Sequence, residues 1–546
     1  MTISERNDFM NTKMNSMRKL AAVMAVVSSV TSLTACGAAS TDEADSYTRG
    51  QNNVQYNSTE AAAGECAPAD NADFEQNDEE YNYISENGYT AVSSAPLSTF
   101  SADVDTASYT NVRRMIDNGS DVPPDAVRIE EFINYFDYDY TDPADGEPFA
   151  VHTELSDCPW NDETELLMVG INTKGFDAVL DERPAMNLVF LIDVSGSMYD
   201  DNKLPLVQKS FSMLTDNLTA ADRVSIVTYA GSDEVVLEGA DGNDRKKILR
   251  AINDLEAGGS TAGAAGINTA YDIAQKYFID GGNNRVILAT DGDLNVGLSS
   301  ESELTRLIEE KRESGVFLSV LGFGTGNYKD NRLEALADYG NGNYSYIDSE
   351  KEAKKVLVDE MSGTLFTVAK DVKFQLEFNP ANVKGYRLIG YENRVMAAED
   401  FNDDTKDAGE IGAGHSVTVL YEIVLADSKM ELGESKLKYA SDSEGVMGDE
   451  LLTVNIRYKE PEGSESKLLT YPVNKSLYSD KMSADMNFAS CVAEFGMLLR
   501  NSRYIGDVTY KDVSAQLSKY DYSDDDYKDE FIYLVNTMKR RDTNFQ

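Results

Sequence analysis

Three short polar segments carry the residues best suited to do chemistry. An apolar run, Leu188–Ile192, ends in Asp193-Val194-Ser195-Gly196-Ser197; a glycine pair opens Gly258-Gly259-Ser260-Thr261; a second run, Arg285–Thr290, ends in Asp291-Gly292. Asp193, Ser195, Ser197, Thr261 and Asp291 together offer two carboxylates and three hydroxyls. An oxygen-only set of this kind suits a hard divalent cation, Mg2+ first and Mn2+ or Ca2+ after it, and not zinc or copper. A lone D-x-S-x-S is a weak signal, because short polar turns are common. Other chemistries fit the chain less well. Asp291-Gly292-Asp293-Leu294-Asn295 starts like an EF-hand loop, but its sixth position is Val296 and its twelfth Ser302. The acidic run Asp521–Asp529 fails in the same way, with Asp526 and Ile532 at those positions, and reads as a solvated loop between helices. Asp103 and Asp105 have the look of a catalytic pair, yet Asp105 before an apolar helical pattern is expected as an N-cap. The two histidines, His152 and His415, lie outside the segments above, so no general base accompanies the serines. No G-x-x-x-x-G-K-[ST] occurs, and Gly322-x-Gly324-x-Gly326 reads as a turn after a strand. The residues point to binding, not to an enzyme.

The elements that must position those residues follow from periodicity. Leu188–Asp193, Arg223–Tyr229, Arg285–Thr290 and Val316–Phe323 are near-continuous apolar runs, as strands buried on both faces require. Helical patterns near 203–217, 263–278, 301–314 and 351–363 alternate with them. This is a doubly wound, Rossmann-like α/β domain over residues 186–365, with the polar segments at the carboxyl ends of its strands, where open α/β folds bind ligands. Residues 96–185 read as a helical and β region. It holds a helix over 105–118 with Val112, Met115 and Ile116 on one face, and another after Pro123-Pro124 burying Val127, Phe132, Ile133 and Phe136. Strands follow at Phe149–Ser156 and Glu165–Thr173. Residues 366–475 return to strands: Val372–Phe378, Tyr386–Tyr391, Ser416–Val424, Leu451–Tyr458 and Leu468–Tyr471. Residues 476–546 are helical, with Phe488, Cys491, Val492, Phe495 and Leu499 along one stripe of 484–500 and a last helix over about 527–540. Neither strand set is self-sufficient, since an isolated hairpin is marginal in water. The expectation is one β-sandwich built from both sets, with the α/β domain inserted into it and Phe132, Phe136, Phe495 and Leu499 buried where the helices pack around it.

Taken in this order and fold, the three motifs resemble the metal-ion-dependent adhesion site of von Willebrand factor type A domains. The resemblance implies Ser195, Ser197 and Thr261 as ligand hydroxyls, with Asp193 and Asp291 bound directly or through water. It implies a metal with an open coordination position, which takes an acidic side chain from a protein partner in a charge-assisted contact. The flanks carry a second resemblance. Pro96–Tyr109 and Ile129–Phe136 look like the region preceding this domain in a family of bacterial lipoproteins, and Val492–Arg500 is similar to that family's C-terminal domain of unknown function.

The N-terminus reads as an address. Lys13, Arg18 and Lys19 precede an apolar stretch from Leu20 to Ser32, too short to span a bilayer but right for a signal peptide. It ends in Leu33-Thr34-Ala35-Cys36-Gly37, which resembles a lipobox and implies cleavage before Cys36 with a lipid on its sulfur. Residues 1–36 are therefore expected as a lipoprotein signal peptide, placing the protein outside the cytoplasm on a membrane. Residues 37–95 hold twelve acidic residues against Arg49 alone and read as a disordered acidic tether, with Tyr81, Tyr83 and Tyr89 read as part of a solvated linker in preference to a recognition patch. Across 546 residues, 49 Lys and Arg stand against 95 Asp and Glu, a net charge of −46 that excludes nucleic acid and an anionic membrane surface as partners. After the leader, Cys66, Cys158 and Cys491 allow one disulfide at most. The leading expectation is a surface-anchored, metal-dependent adhesion or scaffold module. Its rivals are a structural envelope protein with a rigidifying metal and a metal-assisted hydrolase.

Overall fold

The computed structural model describes residues 79–174, 183–259, 263–292, 301–326, 328–360, 367–406, 408–432, 448–461 and 463–545. The leader with Cys36, the acidic stretch up to residue 78, Ser260, Thr261 and Asp293–Asn295 lie outside the described residues.

Along the chain, β1 (Thr90–Ala91) and β2 (Leu97–Ser101) precede α1 (Ala107–Asp117) and α2 (Ile129–Asn134), and β3 (Ala150–Asp157) and β4 (Glu165–Asn172) follow. The α/β domain opens with β5 (Met186–Asp193), α3 (Leu204–Leu214), β6 (Arg223–Tyr229), β7 (Asp233–Asp241) and α4 (Arg245–Asn253). It continues through α5 (Gly263–Lys276), β8 (Asn283–Thr290), α6 (Glu301–Arg312), β9 (Phe317–Phe323), α7 (Asp330–Tyr339), β10 (Tyr344–Ile347) and α8 (Glu350–Lys354). Its sheet has the order β10-β9-β8-β5-β6-β7, parallel except for the edge strand β7. Alternation along β5 explains the layers. Leu188, Phe190 and Ile192 enter one apolar cluster with α3 and α4, whereas Val189 and Leu191 enter a second with α5 and α7. The edge strand β7 and helix α4 are absent from the sequence reading. β7 buries only Leu237 and Ala240, and α4 buries only Ile248 and Ile252, so neither shows a continuous apolar run.

The chain then forms β11 (Thr367–Phe378), β12 (Val383–Ile389), β13 (Gly409–Gly412), β14 (Ser416–Leu425), β15 (Glu450–Lys459) and β16 (Ser466–Asn474). Strands from before and after the α/β domain share sheets. One has the order β1-β12-β14-β4-β3, with β4 antiparallel to β14 from Glu165↔Ile423 to Asn172↔Ser416. The other runs β13-β11-β15-β16, with β2 also on β11. Leu167, Val169 and Ile171 of β4 meet Phe374, Val454 and Ile456 of the second sheet in one apolar cluster. The alternate residues Leu166 and Met168 face the helices instead, in a cluster with Phe132, Phe136, Phe495 and Leu499. That cluster includes α9 (Ala484–Leu499), α10 (Tyr510–Leu517) and α11 (Asp526–Phe545).

Four expectations are corrected here. Asp105 is not the N-cap of α1: Thr106 holds that position, and the buried Asp105 carboxylate accepts the Tyr344 N–H at 2.8 Å and pairs with Arg394 at 3.3 Å, stronger partners than a cap offers. The acidic tether does not extend to residue 95, because Glu79 pairs with Arg114 at 3.0 Å, Asn111 donates to the Tyr81 hydroxyl at 2.7 Å and Tyr89 donates to Glu422. The helix at 484–499 shows no single apolar stripe; every residue from Met486 to Met497 is buried, since helices and a sheet surround it. Asp526–Asp529, read as part of a loop, form the first turn of α11, where carboxylates meet the positive end of the helix dipole. Cys158 and Cys491 are both buried free thiols in the helical cluster.

Candidate metal centre

The rim of the α/β sheet assembles four of the five expected ligands. β5 lies between β8 and β6, so Asp193 and Asp291, at or just past the carboxyl ends of adjacent parallel strands β5 and β8, come to one edge at the topological switch point. The Asp193 carboxylate accepts the Ser195 N–H at 2.8 Å and the Thr290 hydroxyl at 3.3 Å. The Ser195 and Ser197 hydroxyls lie 3.0 Å apart. The second segment is stapled to the first by its backbone: Gly196 N–H donates to Gly259 C=O at 3.1 Å, and Gly258 N–H donates to Val194 C=O at 2.8 Å. Thr261, two residues on, lies outside the described residues. Asp291 is held by the turn at Gly292, whose φ of +93° and close approach to the Lys329 nitrogen, 2.7 Å from an added Cβ, admit no side chain.

Burial sets the electrostatics. Asp193 is fully buried, and desolvation pushes its carboxyl up to about 6, against hydrogen bonds from Ser195 that favour the ion. The Tyr229 hydroxyl is buried beside Asp193 and has no partner of hydrogen-bonding geometry. Ser195 and Asp291 are also buried, whereas Ser197 is exposed and Tyr199 beside it is 80% exposed, so the set opens to solvent on one side. Two acidic groups, two hydroxyls and an orphaned polar atom on one partly open rim fit a hard divalent cation. Among the described residues, no group of three or more His, Cys, Asp or Glu side chains is arranged to hold a metal, so at the rim hydroxyls must complete the set. The histidines are distant from the rim: His152 lies on β3 and stacks on Tyr140, and His415 immediately precedes β14.

One rim residue was missed from sequence. The Lys203 ammonium donates to Asp291 Oδ2 at 3.0 Å, with 9% of its side chain exposed. Its stem runs over Gly324, where an added Cβ would lie 2.4 Å from Lys203 Cε, so the glycine at φ +75° forms the lysine's bed. Phe190 of β5 stacks on Phe211 of α3, 4.2 Å between centroids, and fixes the helix that carries Lys203. A signal was present: Lys203 is the N-cap of α3, where the helix dipole disfavours a cation unless a carboxylate is near.

Comparison with known proteins places the rim residues inside a recognised domain. Residues 187–359 match the model of the von Willebrand factor type A domain, residues 75–168 a von Willebrand factor model, and residues 363–540 the C-terminal region of the uncharacterized protein YfbK. Among solved structures, a von Willebrand factor type A protein from Catenulispora acidiphila is 17% identical, with a TM-score of 0.38, over 66% of this chain and 82% of that one. Proximal thread matrix protein 1 of the mussel byssus, solved with a zinc-occupied MIDAS motif, is 23% identical with a TM-score of 0.27, over 32% and 45%. At those scores the two mark similarity and nothing more. YfbK of Escherichia coli is 46% identical over 467 residues, 83% of this chain and 80% of its own length. The chain therefore belongs to the YfbK family, with a von Willebrand factor type A domain ahead of a YfbK C-terminal domain.

Proposed function

We propose that this protein is a divalent-cation-dependent protein-binding module, an adhesion or scaffold element held at the cell surface by a lipid on Cys36. Asp193, Ser195, Ser197, Thr261 and Asp291 would hold the cation. When bound, it supplies an electrophilic position for a carboxylate of a partner protein. The observation that carries this reading is the convergence of Asp193, Ser195, Ser197 and Asp291 on one rim that opens at Ser197. The net charge of −46 repels an acidic partner at a distance, but screening within about 8–10 Å at physiological salt leaves the local cation to decide. The chain's own residues do the rest: Ser195 N–H and Thr290 orient Asp193, and Gly292 holds Asp291 against the neighbouring loop.

In the same reading, the strands flanking the type A domain form one β-sandwich that serves as its pedestal, and the domain is an insertion within it. The pairing of β4 with β14 across that domain supports this architecture. Pull-down from an envelope extract tests the function. A partner retained in Mg2+, lost in EDTA and lost with Asp193→Ala is the expected result; retention unchanged by chelator would overturn it. Cys36→Ser is expected to release the protein from membranes or block its processing, and unchanged fractionation with normal cleavage would remove the anchor from the account.

A further inference from the structure

Away from the metal rim, a cavity of about 620 Å3 lies along α7 and the turn entering β10; none of Asp193, Ser195, Ser197 or Asp291 lines it. Seven Asp or Glu residues face this space against only Arg128 and Arg394. Glu392 has a guanidinium of its own, Arg500 at 3.0 Å, whereas the two cavity arginines are shared. Arg394 serves Asp103 at 3.1 Å, Asp105 at 3.3 Å and Asp338 at 2.9 Å; Arg128 serves Glu131, Asp330 at 2.6 Å and Glu334 at 3.5 Å. Each guanidinium is thus shared among three carboxylates. Glu130, on the cavity wall and 1% exposed, has no guanidinium at all. Nearby backbone N–H groups favour its charge weakly, and its Oε2 has no hydrogen-bond partner. Burial first, then Glu392 and Asp103, hold the Glu130 carboxyl up at about 7, and burial holds Glu334 at about 7. An added positive charge would let these groups ionise. Two aromatic rings complete the wall: Tyr83 is 83% exposed and Tyr339 41% exposed, both lining the cavity. Carboxylates beside open aromatic faces form a cation-binding chemistry. The volume is that of a site for an organic ligand.

We propose that this cavity binds an organic cation carrying primary ammonium or guanidinium groups, with Glu130 as its unpaired counter-charge and Tyr83 and Tyr339 offering ring faces to it. The site is independent of the metal rim. Isothermal titration of the purified full chain at physiological salt, with spermidine in one arm and an end-blocked Gly-Arg-Gly peptide in the other, tests the proposal and separates a free amine from a basic side chain. Binding of either probe is expected to weaken at least about tenfold in Glu130→Gln, which keeps the shape and removes the charge. It is expected to weaken about threefold in Tyr83→Ala, an exposed position whose loss does not threaten the fold. Glu350→Gln, at an exposed carboxylate outside the cavity, should change nothing and controls for attraction to the negative chain as a whole. Failure of both probes to bind below about 1 mM, or equal binding by wild type, Glu130→Gln and Tyr83→Ala, would overturn it.

Discussion

The metal rim and the junction around Arg113 treat buried carboxylates in opposite ways. Arg113, 3% exposed, bonds Asp348 at 2.6 Å, Glu352 at 2.9 Å and Glu530 at 3.1 Å, and donates to the Tyr135 hydroxyl at 2.8 Å. One guanidinium thereby ties α1, the end of the type A domain and α11 together. At the rim, Asp193 accepts an N–H and a hydroxyl beside the buried Tyr229 hydroxyl, while Asp291 pairs with the flexible Lys203. A rigid planar fork suits a permanent joint; hydroxyls and an ammonium on a flexible stem suit a position from which a cation can be exchanged. The negative charge of this chain is therefore not one property. Some of it is fastened inside by arginine, and some lies on a rim that opens to solvent at Ser197.

Breaking the fastened side gives the largest effect. Arg113→Ala strands Asp348 and Glu352, which have little access to water, and a loss of about 3–5 kcal/mol in thermal or denaturant unfolding is expected. A loss below about 1 kcal/mol would mean the joint does not bind the regions together.

A third kind of carboxylate sharpens the contrast. Glu494 in α9 is buried, and its Oε2 has neither a guanidinium nor a hydrogen-bond donor. Burial raises its carboxyl from the ordinary 4.5 to about 8. Between those values the native state holds a proton that the unfolded chain has released, so its effect on stability turns unfavourable as pH rises through that window. Glu494→Gln should remove roughly 4 kcal/mol of this pH dependence, leaving the variant more stable than wild type at pH 8 and little changed at pH 4.5. Parallel melting curves for the two proteins at both pH values would contradict it.

The smallest effect concerns the exchangeable side. Lys203→Met keeps the apolar stem over Gly324 and removes the charge that competes for Asp291. Its Mn2+ affinity is expected to rise about tenfold over wild type, a gain of about 1.4 kcal/mol. Unchanged or weaker affinity would make Lys203 a strut and not a resident counter-ion.

How far the sequence was legible follows the same division. The rim could be read because its residues sit at fixed short spacings, Asp193 to Ser197, at the ends of strands apolar enough to be recognised as buried. β4 and β14 could be read as strands from their apolar runs. The charged joints could not, because their partners come from far apart in the chain. Arg394 meets Asp103 across 291 positions and Arg113 meets Glu530 across 417, and no local pattern links them. The same holds for Asp105, whose cap-like position concealed a long-range ion pair, and for Tyr81 and Tyr89, whose polar surroundings concealed buried hydrogen bonds.

The central claim is that the rim holds a divalent cation through its carboxylates. Titration of the purified full chain with Mg2+ and Mn2+ by calorimetry, beside Asp193→Ala, tests it most directly. One ion bound per wild-type chain is expected, with a collapse of that affinity in the variant, which has lost a charge the dication must balance. Wild-type heats in Asp193→Ala, or no binding by the wild type at millimolar ion, would contradict it.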